Sequence, residues 1–514
     1  MNGFNVQGGL SLLSVIGAAA AYSGSKYALL SPERNVSYSD FYNDVVRLSA
    51  ELLSIGLAPG DRVALLDTDS TEYLELFQAI GVAGLIAVPL NYRQKAEELA
   101  FQLADSGARL LLAGSRYSAE AELLAKDLDL GWRPLLPFHR EAVSKSGPLP
   151  TLPEANPHAA FAICYTSGTT GWPKGATISQ HAVCLRALKF VAEFGVVRED
   201  VVHVTPPLFH ISGVVLNLMG LMRGCSVLIM PQFRFTETLA AVQLHRVSFI
   251  CLVPTILAMM VQSPDFGPAI FGSLRIIMYA GAPMSPKLIR EIMSAFGGQM
   301  VQSFGQTEDL PQLILGALDH RNAFTADAPA LCAIGKPAIG SEIKICDSEG
   351  QPVPDGEVGE IVSRGGTGMI GYWNLPEATA ETLCGGWVHS GDLGYVGSDG
   401  FIYLAGRKKQ MIIRGGENVY PAEVERVLAS APGVSDAVVL GTLHDVWGET
   451  VTAVVVAAEE FRSEAALISF CRERLASYRC PERVIFRDSL PYNAGGKVDR
   501  GLLRREIEPK GDVI

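Results

Sequence analysis

Short apolar runs alternate with longer amphipathic stretches through the first three hundred positions of the chain. The amphipathic stretches repeat their apolar positions with the helical period and predict helices at 41–55, 96–103 and 286–296. The apolar runs predict strands at 63–67, 86–90, 109–113, 227–230, 249–253 and 274–279. Because strands and helices alternate, the pattern indicates a layered α/β fold.

The pattern changes at two later points in the chain. After about residue 336, short glycine-punctuated β segments at 341–347 and 357–363 predict a small, barrel-like β unit. From Gly406 onward the pattern predicts an α+β unit with the order strand, helix, strand, strand, helix, strand. We therefore expect a large N-terminal α/β domain at 1–406 and a small C-terminal domain at 407–514.

Composition narrows the possible classes of protein. The chain has 514 residues, of which 48% are hydrophobic and 19% charged, so a large core is expected. A net charge of −12 argues against nucleic acid as a partner, since phosphate backbones require clustered basic residues. The nine cysteines occur singly, without zinc-site spacing, and are expected to be reduced thiols of a cytoplasmic protein. The apolar stretch 10–21 is too short to span a membrane and lacks the basic flank of a signal peptide, so it predicts the first amphipathic helix of a globular domain.

The most informative stretch, residues 165–175, reads YTSGTTGWPKG. It follows a predicted strand at 161–165 and combines glycines, which let several N–H groups point at one centre, with hydroxyl donors and a lysine. The residues that would bind phosphate oxygens are Thr166, Ser167, Gly168, Thr169, Thr170 and Lys174. A surface linker is the alternative for this composition, but the Pro-Lys-Gly ending favours a phosphate loop. It is not the usual P-loop, because Pro173 stands where that motif needs a helix.

Four further clusters carry chemistry. Residues 302–308 place an aromatic ring, a glycine, a hydroxyl and a carboxylate together after a strand-like segment at 299–301, and a carboxylate can hold Mg²⁺ between phosphates. Asp392 and Arg407 flank a hairpin-like segment at 401–404 and could bind ribose hydroxyls. Residues 415–421 form a turn that opens a helix, and Lys497 follows two glycines near the chain end. The G-x-G-x-x-G match at 366–371 is rejected, because Pro376 breaks the helix that a dinucleotide site requires.

Together, YTSGTTGxPKG, the run GRKKQMIIRGGENVYPAEVE and the closing GGKVDR resemble the adenylate-forming superfamily of acyl-CoA synthetases, luciferases and non-ribosomal adenylation domains. The resemblance spans nearly the whole chain, lies nearest the acyl- and aryl-CoA synthetase branch, and implies ATP, Mg²⁺ and coenzyme A as reactants. The implied roles are Lys497 for the bridge between carboxylate and phosphate, Thr307 for the α-phosphate, Glu308 for Mg²⁺, Gly281, Ala282, Pro283, Phe304 and Gly305 for adenine, Asp392 and Arg407 for ribose, and the 166–174 loop for pyrophosphate.

For the second half of the reaction, the resemblance implies a mobile C-terminal domain with its hinge at Lys409. Its rotation would bring Gly415 and Gly416 to a pantetheine tunnel, with Trp447 and Tyr478 on the coenzyme A nucleotide. The resemblance also implies that His210 lies near the substrate carboxylate. Amino-acid-activating relatives usually carry an Asp in this segment, and this chain has none, which favours a hydrophobic acid of aryl, fatty or polycyclic type. Met278, Tyr279 and Leu310 are expected to make the acid pocket apolar.

Three alternatives stay open at this point: a ligase that loads a carrier-protein thiol, a non-catalytic nucleotide-binding relative, and a form specialised for thioester formation. The last rests on two departures from the family pattern, the acidic Asp309 after Glu308 and the bulky Trp172 in the phosphate loop. If Asp309 points toward the triphosphate, it should weaken ATP binding. A homodimer is a further expectation.

Overall fold

The structure is a computed structural model, and it describes residues 9–154, 156–166, 172–264, 266–282, 284–326, 328–444, 446–493 and 497–507. The strands in chain order are β1 (Tyr27–Leu30), β2 (Val36–Ser37), β3 (Arg62–Leu66), β4 (Ile86–Pro89), β5 (Leu110–Ala113), β6 (Gly131–Pro134), β7 (Ala160–Thr166), β8 (Lys174–Ser179), β9 (Val201–Val204), β10 (Ser226–Leu228), β11 (Phe249–Leu252), β12 (Ile276–Ala280), β13 (Gln299–Gln306), β14 (Asp309–Leu315), β15 (Lys336–Pro337), β16 (Glu342–Cys346), β17 (Gly359–Arg364), β18 (Gly371–Tyr372), β19 (Leu383–Cys384), β20 (Trp387–Val396), β21 (Ile402–Arg407), β22 (Ile412–Arg414), β23 (Glu417–Val419), β24 (Val434–His444), β25 (Gly448–Ala457) and β26 (Arg483–Arg487).

The helices in chain order are α1 (Leu12–Ser23), α2 (Tyr38–Ser54), α3 (Thr71–Val82), α4 (Ala96–Ser106), α5 (Ser118–Asp127), α6 (Leu135–Ser144), α7 (Gln180–Phe194), α8 (Ile211–Arg223), α9 (Phe235–Leu244), α10 (Pro254–Gln262), α11 (Pro268–Phe271), α12 (Pro286–Ala295), α13 (Ala317–Thr325), α14 (Pro376–Thr382), α15 (Pro421–Ala429), α16 (Glu464–Arg472) and α17 (Arg500–Ile507). Within the described ranges, no helix is long and apolar enough to cross a membrane.

The largest sheet has nine described strands in the order β15-β14-β13-β12-β11-β9-β10-β1-β2. The six strands from β13 through β12, β11, β9 and β10 to β1 are parallel, and β14 turns back antiparallel to β13. The carboxyl ends of the parallel strands therefore meet at one edge of the sheet, which is where ligands bind in open α/β sheets.

A second sheet has the order β18-β8-β7-β4-β3-β5-β6. Strands β7 and β8 form an antiparallel hairpin in which Thr166 pairs with Lys174, so the phosphate-loop sequence connects two strands. Pro173 indicated that this loop differs from the usual P-loop, and the hairpin agrees with that prediction, because the usual P-loop runs from a strand into a helix.

The β unit predicted after residue 336 is a five-stranded antiparallel sheet of order β16-β17-β20-β19, with β21 also on β20. Its outer strands β16 and β19 do not pair with each other in the described chain, so the unit is an open sheet. Two predictions about its site residues need correction. Asp392 and Arg407 lie within β20 and β21, not beside a hairpin, because these strands extend further than the sequence pattern indicates.

The C-terminal unit follows a 3₁₀ turn at Lys408–Gln410. Its sheet has the order β23-β22-β25-β24, with β26 beside β25, and helices α15 and α16 cover a core of its own. The helix predicted to follow the turn at 415–421 is α15 (Pro421–Ala429), and the short strand β23 forms within that turn segment. Helix α15 also packs on β21, so the C-terminal unit touches the preceding sheet.

Two predictions about the N-terminal part hold, and one needs correction. The apolar stretch 10–21 is helix α1, which buries Leu12, Val15, Ile16 and Ala19 in the main core. The nine cysteines are free, and most are buried. Strand β13, however, continues to Gln306, so Phe304 and Gly305 lie within a strand and not in a turn after it.

Candidate active site

The β13–β14 hairpin carries Thr307 and Glu308 at its turn, at the carboxyl edge of the largest sheet. The Glu308 Oε1 atom accepts a hydrogen bond of 2.5 Å from the hydroxyl of Tyr372. Burial and the Glu308 carboxylate both raise the pKa of Tyr372, so this phenol stays a proton donor. The ammonium of Lys174 lies 4.9 Å from the centre of the same ring. Tyr372 therefore joins the phosphate loop to the carboxylate.

Sequence reasoning missed Tyr372. The residue follows the rejected G-x-G-x-x-G match, so the pattern drew attention to glycines and not to the phenol. Its role depends on β18 pairing with β8, which brings the two distant segments together.

The phosphate loop is described only at its two ends. The Thr166 hydroxyl donates to the carbonyl of Lys174 over 3.3 Å. The predicted phosphate-binding residues Ser167, Gly168, Thr169 and Thr170 lie outside the described residues. Trp172 is 58% exposed, and its ring stacks on Phe101 with 4.6 Å between centroids.

Asp392 and Arg407 face each other across β20 and β21, with 2.8 Å between Arg407 Nε and Asp392 Oδ1. Burial raises the pKa of Asp392, and the nearby cations of Arg407 and Lys497 oppose that shift. The two side chains that the sequence assigns to ribose are thus in direct contact.

Lys497 enters the same region from the C-terminal unit. Its backbone is held in a turn by Asn493, whose side-chain oxygen accepts from the Lys497 N–H over 3.1 Å. Burial, with the charge of Arg407, lowers the pKa of Lys497, whereas the carboxylates of Asp392 and Glu308 raise it. Lys497 therefore lies within electrostatic reach of three predicted site residues from outside the C-terminal unit.

His210 precedes α8, and its Nδ1 accepts from the backbone N–H of Ser212 over 3.2 Å. Surrounding protein, with the charge of Lys497, lowers the pKa of His210 to about 4, although the residue is exposed. The ring is therefore neutral at neutral pH, with its proton on Nε2.

The adenine-side residues lie at the end of β12 and in β13. Gly281 has φ +88, a conformation that favours glycine, and a Cβ there would meet no atom within 4 Å. Ala282 is exposed beside it, whereas Pro283 lies outside the described residues. Gly305 is required by close packing, since a Cβ would lie 2.8 Å from that of Leu310. Phe304 is only partly buried.

The predicted apolar acid pocket needs correction. Met278 and Tyr279 are 1% and 0% exposed and belong to the cores on the two faces of the largest sheet. Leu310 is 7% exposed and packs in the main core. These side chains support the cleft from behind, because alternate residues of a central strand point into the packed layers on either side.

The residues assigned to coenzyme A form a separate cluster in the C-terminal unit. The N–H of Gly415 donates to the carbonyl of Trp447 over 2.8 Å, and a Cβ on Gly415 would lie 2.7 Å from the indole. Tyr478 lies near the end of β22, since its carbonyl accepts a hydrogen bond from the side chain of Arg414. Gly416 is exposed, with φ +90. No hydrogen bond, ion pair or ring contact described for these four residues links them to Lys497 or Glu308.

Two departures from the family pattern do not act as expected. Asp309 is 1% exposed and accepts hydrogen bonds of 2.6 Å from both Ser363 and Thr367, behind the hairpin. Its side chain does not point toward a triphosphate beside Glu308. The indole of Trp172 stacks outward on Phe101. The basis for a weakened ATP site is therefore removed.

The family assignment follows from comparison with known proteins. Residues 17–373 match the model of the AMP-binding enzyme family, and residues 423–497 match that of the AMP-binding enzyme C-terminal domain. The chain belongs to the AMP-binding enzyme family. The predicted family and the α/β fold class with a small C-terminal domain are confirmed.

Known AMP-binding enzymes resemble this one along nearly their whole length. Feruloyl-CoA synthase of an Amycolatopsis species is 36% identical over 474 residues, which cover 92% of this chain and 94% of that enzyme. The fatty acid–[acyl-carrier-protein] ligase ScoC of Streptomyces coeruleorubidus is 34% identical over 500 residues, 94% of this chain and 93% of that ligase. The structure of ATP-bound MatB from Rhodopseudomonas palustris aligns with TM-score 0.88 and 27% identity, covering 97% and 99% of the two chains.

Proposed function

We propose that this AMP-binding enzyme is an ATP- and Mg²⁺-dependent acid–CoA ligase. It joins a hydrophobic carboxylic acid to AMP, releases pyrophosphate, and then transfers the acyl group to the thiol of coenzyme A. The observation that carries the proposal is that the groups whose charges act on Lys497 include Glu308, Asp392 and Arg407, which lie outside the C-terminal unit. This arrangement gives adenylate formation the cation that two anionic reactants require.

The residues fit ATP and Mg²⁺. The Oε1 atom of Glu308 is hydrogen-bonded to the phenol of Tyr372, and the Oε2 atom would bind Mg²⁺. In nucleotide sites Mg²⁺ is usually held by one or two carboxylates together with substrate phosphates. The metal would neutralise phosphate charge. Asp392 would accept from the ribose hydroxyls, and the open space at Gly281 would take the adenine edge. The described phosphate-loop residues Thr166 and Lys174 would hold the outer phosphates.

For adenylate formation, Lys497 would place its ammonium between the substrate carboxylate and the α-phosphate, where negative charge builds up during attack. Thr307 would donate to the α-phosphate. His210 would orient the acid, because its neutral ring can donate from Nε2 to a carboxylate without holding it as an ion pair. In this arrangement the chain's own side chains would orient both reactants.

For thioester formation, the C-terminal unit that follows Lys409 would rotate about this residue and withdraw Lys497. Lys409 suits a hinge, because it is exposed in the 3₁₀ turn that joins β21 to β22. Rotation would bring Gly415 and Gly416 toward the acyl carbonyl, and Trp447 and Tyr478 would contact the coenzyme A nucleotide. The coenzyme A cluster is separate from Lys497. This is expected if the domain alternates between one arrangement for adenylate formation and another for thioester formation.

We infer a hydrophobic acid of aryl, fatty or polycyclic type. The segment at His210 offers no carboxylate for a substrate ammonium, and the two relatives above are named for ferulate and for fatty acids. The second relative is also named for an acyl carrier protein, so a carrier-protein thiol is the alternative acceptor. A non-catalytic role is disfavoured, because the sequence contains all of the predicted catalytic residues, namely Lys497, Thr307, Glu308 and His210. A cytoplasmic location and a homodimer remain predictions.

One experiment tests the activity and the acceptor together. Pyrophosphate release is measured with a panel of aryl, fatty and polycyclic acids, with and without coenzyme A, and the acylated product is identified by mass spectrometry. Acid-dependent release with acyl-CoA as product supports the proposal. Acylation of a phosphopantetheinylated carrier protein without coenzyme A turnover would favour the alternative acceptor. ATP binding without any acyl product would contradict both.

A further inference from the structure

Arg186 has the largest side chain among the fully buried residues that the structure describes. A buried guanidinium is costly unless its donors are satisfied. Its Nε donates to the carbonyl of Thr367 over 2.8 Å, and its Nη1 and Nη2 donate to the carbonyls of Thr307 and Glu308 over 3.2 and 3.3 Å. Two of these three acceptors are the backbone of the turn to which we assign the α-phosphate and Mg²⁺.

Asp309 supplies the opposite charge. The hydroxyl of Thr367 donates to Asp309 Oδ1, and that of Ser363 donates to Oδ2, each over 2.6 Å. Thr367 therefore connects the two charges, since its carbonyl binds Arg186 and its hydroxyl binds Asp309. Burial lowers the pKa of Arg186 to about 10, with the charge of Asp309 opposing the shift, so the guanidinium stays charged at neutral pH.

The geometry fixes the direction of Glu308. Glu308 and Asp309 are neighbours in sequence, yet their carboxylates have different partners: Glu308 binds Tyr372, and Asp309 binds Ser363 and Thr367. The Glu308 carbonyl also accepts from the N–H of Met369 over 2.7 Å. Because the Glu308 carbonyl and the Asp309 side chain are both held by hydrogen bonds, the backbone at Glu308 has little freedom to rotate.

We propose that Arg186 and Asp309 are positioning residues that hold the Thr307–Glu308 turn in the geometry needed to bind Mg²⁺ with ATP. This inference rests on the proposed function and adds to it. The acidic residue that departs from the family pattern thus supports adenylate formation, whereas the sequence suggested that it would oppose it. Because the acyl-adenylate keeps the α-phosphate but has lost the outer phosphates, thioester formation should depend on the Thr307 part of this turn and not on the Mg²⁺ site at Glu308.

The test uses Arg186→Lys, which keeps the charge but loses the fork of donors, and Asp309→Asn, which keeps the shape but loses the charge. ATP affinity is measured by calorimetry with and without Mg²⁺. We expect the gain in affinity on adding Mg²⁺ to fall by roughly tenfold or more, as for other groups that orient a metal ligand. ATP affinity without Mg²⁺ and thioester yield from synthetic acyl-adenylate should fall by less than this gain does, because only the contact of Thr307 with the α-phosphate is affected. Thr367→Val is a milder change that should also reduce the gain in ATP affinity on adding Mg²⁺. It replaces the Arg186 or Asp309 variant in the test if either of these fails to fold.

Arg275→Lys is the matched control, because Arg275 forms an ion pair with the buried Asp200 just before β12 and β9, at the edge of the largest sheet opposite the turn. It should lower thermal stability without changing the Mg²⁺ effect. The inference is overturned if the Arg186 and Asp309 variants keep the full Mg²⁺ gain, or if both half-reactions fall in proportion to stability. Wild-type protein that neither binds ATP nor releases pyrophosphate would instead contradict the proposed function.

Discussion

The carboxylate of Asp392 lies 2.8 Å from Nε of Arg407, because the two residues are directly opposed on β20 and β21. The Asp392 side chain is 7% exposed and that of Arg407 is 42% exposed. Burial alone would favour a neutral carboxyl group, and the guanidinium opposes this by stabilising the charged form. The pair therefore presents a strong acceptor at the cleft, as ribose binding requires.

We expect Asp392→Asn to raise the KM for ATP by roughly tenfold to a hundredfold, the range for losing hydrogen bonds to a charged group. Because the acyl-adenylate retains the ribose, the variant should also use synthetic acyl-adenylate poorly. Steady-state kinetics of both half-reactions measure this. Glu342→Gln is the control, since it breaks an exposed ion pair with Arg364 in the same sheet and should leave both KM values unchanged. An unchanged KM for ATP in Asp392→Asn would remove the ribose assignment.

Lys497→Ala should separate the two half-reactions. We expect pyrophosphate release to fall by roughly a hundredfold or more, as for the loss of one preorganised electrostatic group. Thioester formation from synthetic acyl-adenylate should be largely retained, because Lys497 is withdrawn in that step. Lys287→Ala removes an exposed lysine from α12 and should change neither rate. Equal losses in both half-reactions would contradict the role of Lys497.

The pH dependence of adenylate formation tests the surroundings of Lys497. Burial and Arg407 lower the pKa of this ammonium, so it loses its charge at a lower pH than an ordinary lysine does. The rate of pyrophosphate release should therefore decline early as the pH rises. Asp392 opposes the shift, so Asp392→Asn should move the alkaline decline to still lower pH, measured as kcat/KM for ATP because this ratio reports the groups of the free enzyme. A decline at the same pH in both proteins would show that the two groups do not interact.

The hinge prediction concerns backbone freedom. Lys409→Pro fixes φ in the turn at Lys408–Gln410, so it should block rotation of the C-terminal domain. We expect a severe loss of thioester formation, with pyrophosphate release retained. Lys409→Ala removes the same side chain but keeps the backbone free, and it should behave like wild type in both assays. A similar loss in the alanine variant would mean that the side chain matters and not the rotation.

Sequence alone predicted much of the fold, because the main strands are long apolar runs with clear boundaries. The predicted strand at 86–90 is β4 (Ile86–Pro89), and the predicted helix at 286–296 is α12 (Pro286–Ala295). Predictions were poorest where a strand contains glycine and polar residues, as in β13 and β20, since long-range pairing determines those segments and local composition does not.

The orientation of charged side chains could not be predicted in the same way. The acidic character of Asp309 is evident in the sequence, but its direction depends on Arg186, Ser363 and Thr367, which come from distant segments. Likewise, the bulk of Trp172 is visible in the motif, whereas its stacking on Phe101 requires the fold. A motif therefore predicts which chemical groups are present, and tertiary contacts decide which way they point.

The last prediction concerns stability in acid. His320 is fully buried, its Nδ1 donates to the carbonyl of Gly316 over 2.9 Å, and its Nε2 lies 3.0 Å from the Tyr279 hydroxyl. Burial lowers the pKa of His320 from 6.5 to about 4. Between these two values the unfolded chain binds more protons than the folded one, so stability falls as the pH drops through this window. From pH 7 to pH 5, this one group should reduce the free energy of unfolding by roughly 2 kcal/mol.

His320→Gln tests this, because glutamine keeps hydrogen-bonding atoms near the same place but does not titrate. The variant should be less stable than wild type at pH 7, yet it should lose less stability on acidification, as measured by urea unfolding at both pH values. Buried His203, whose pKa is also lowered, contributes in the same direction to both proteins, so the difference between them isolates His320. His245→Gln, at the partly exposed end of α9, should retain the wild-type acid dependence. If His320→Gln loses as much stability as wild type, the acid sensitivity arises from other groups.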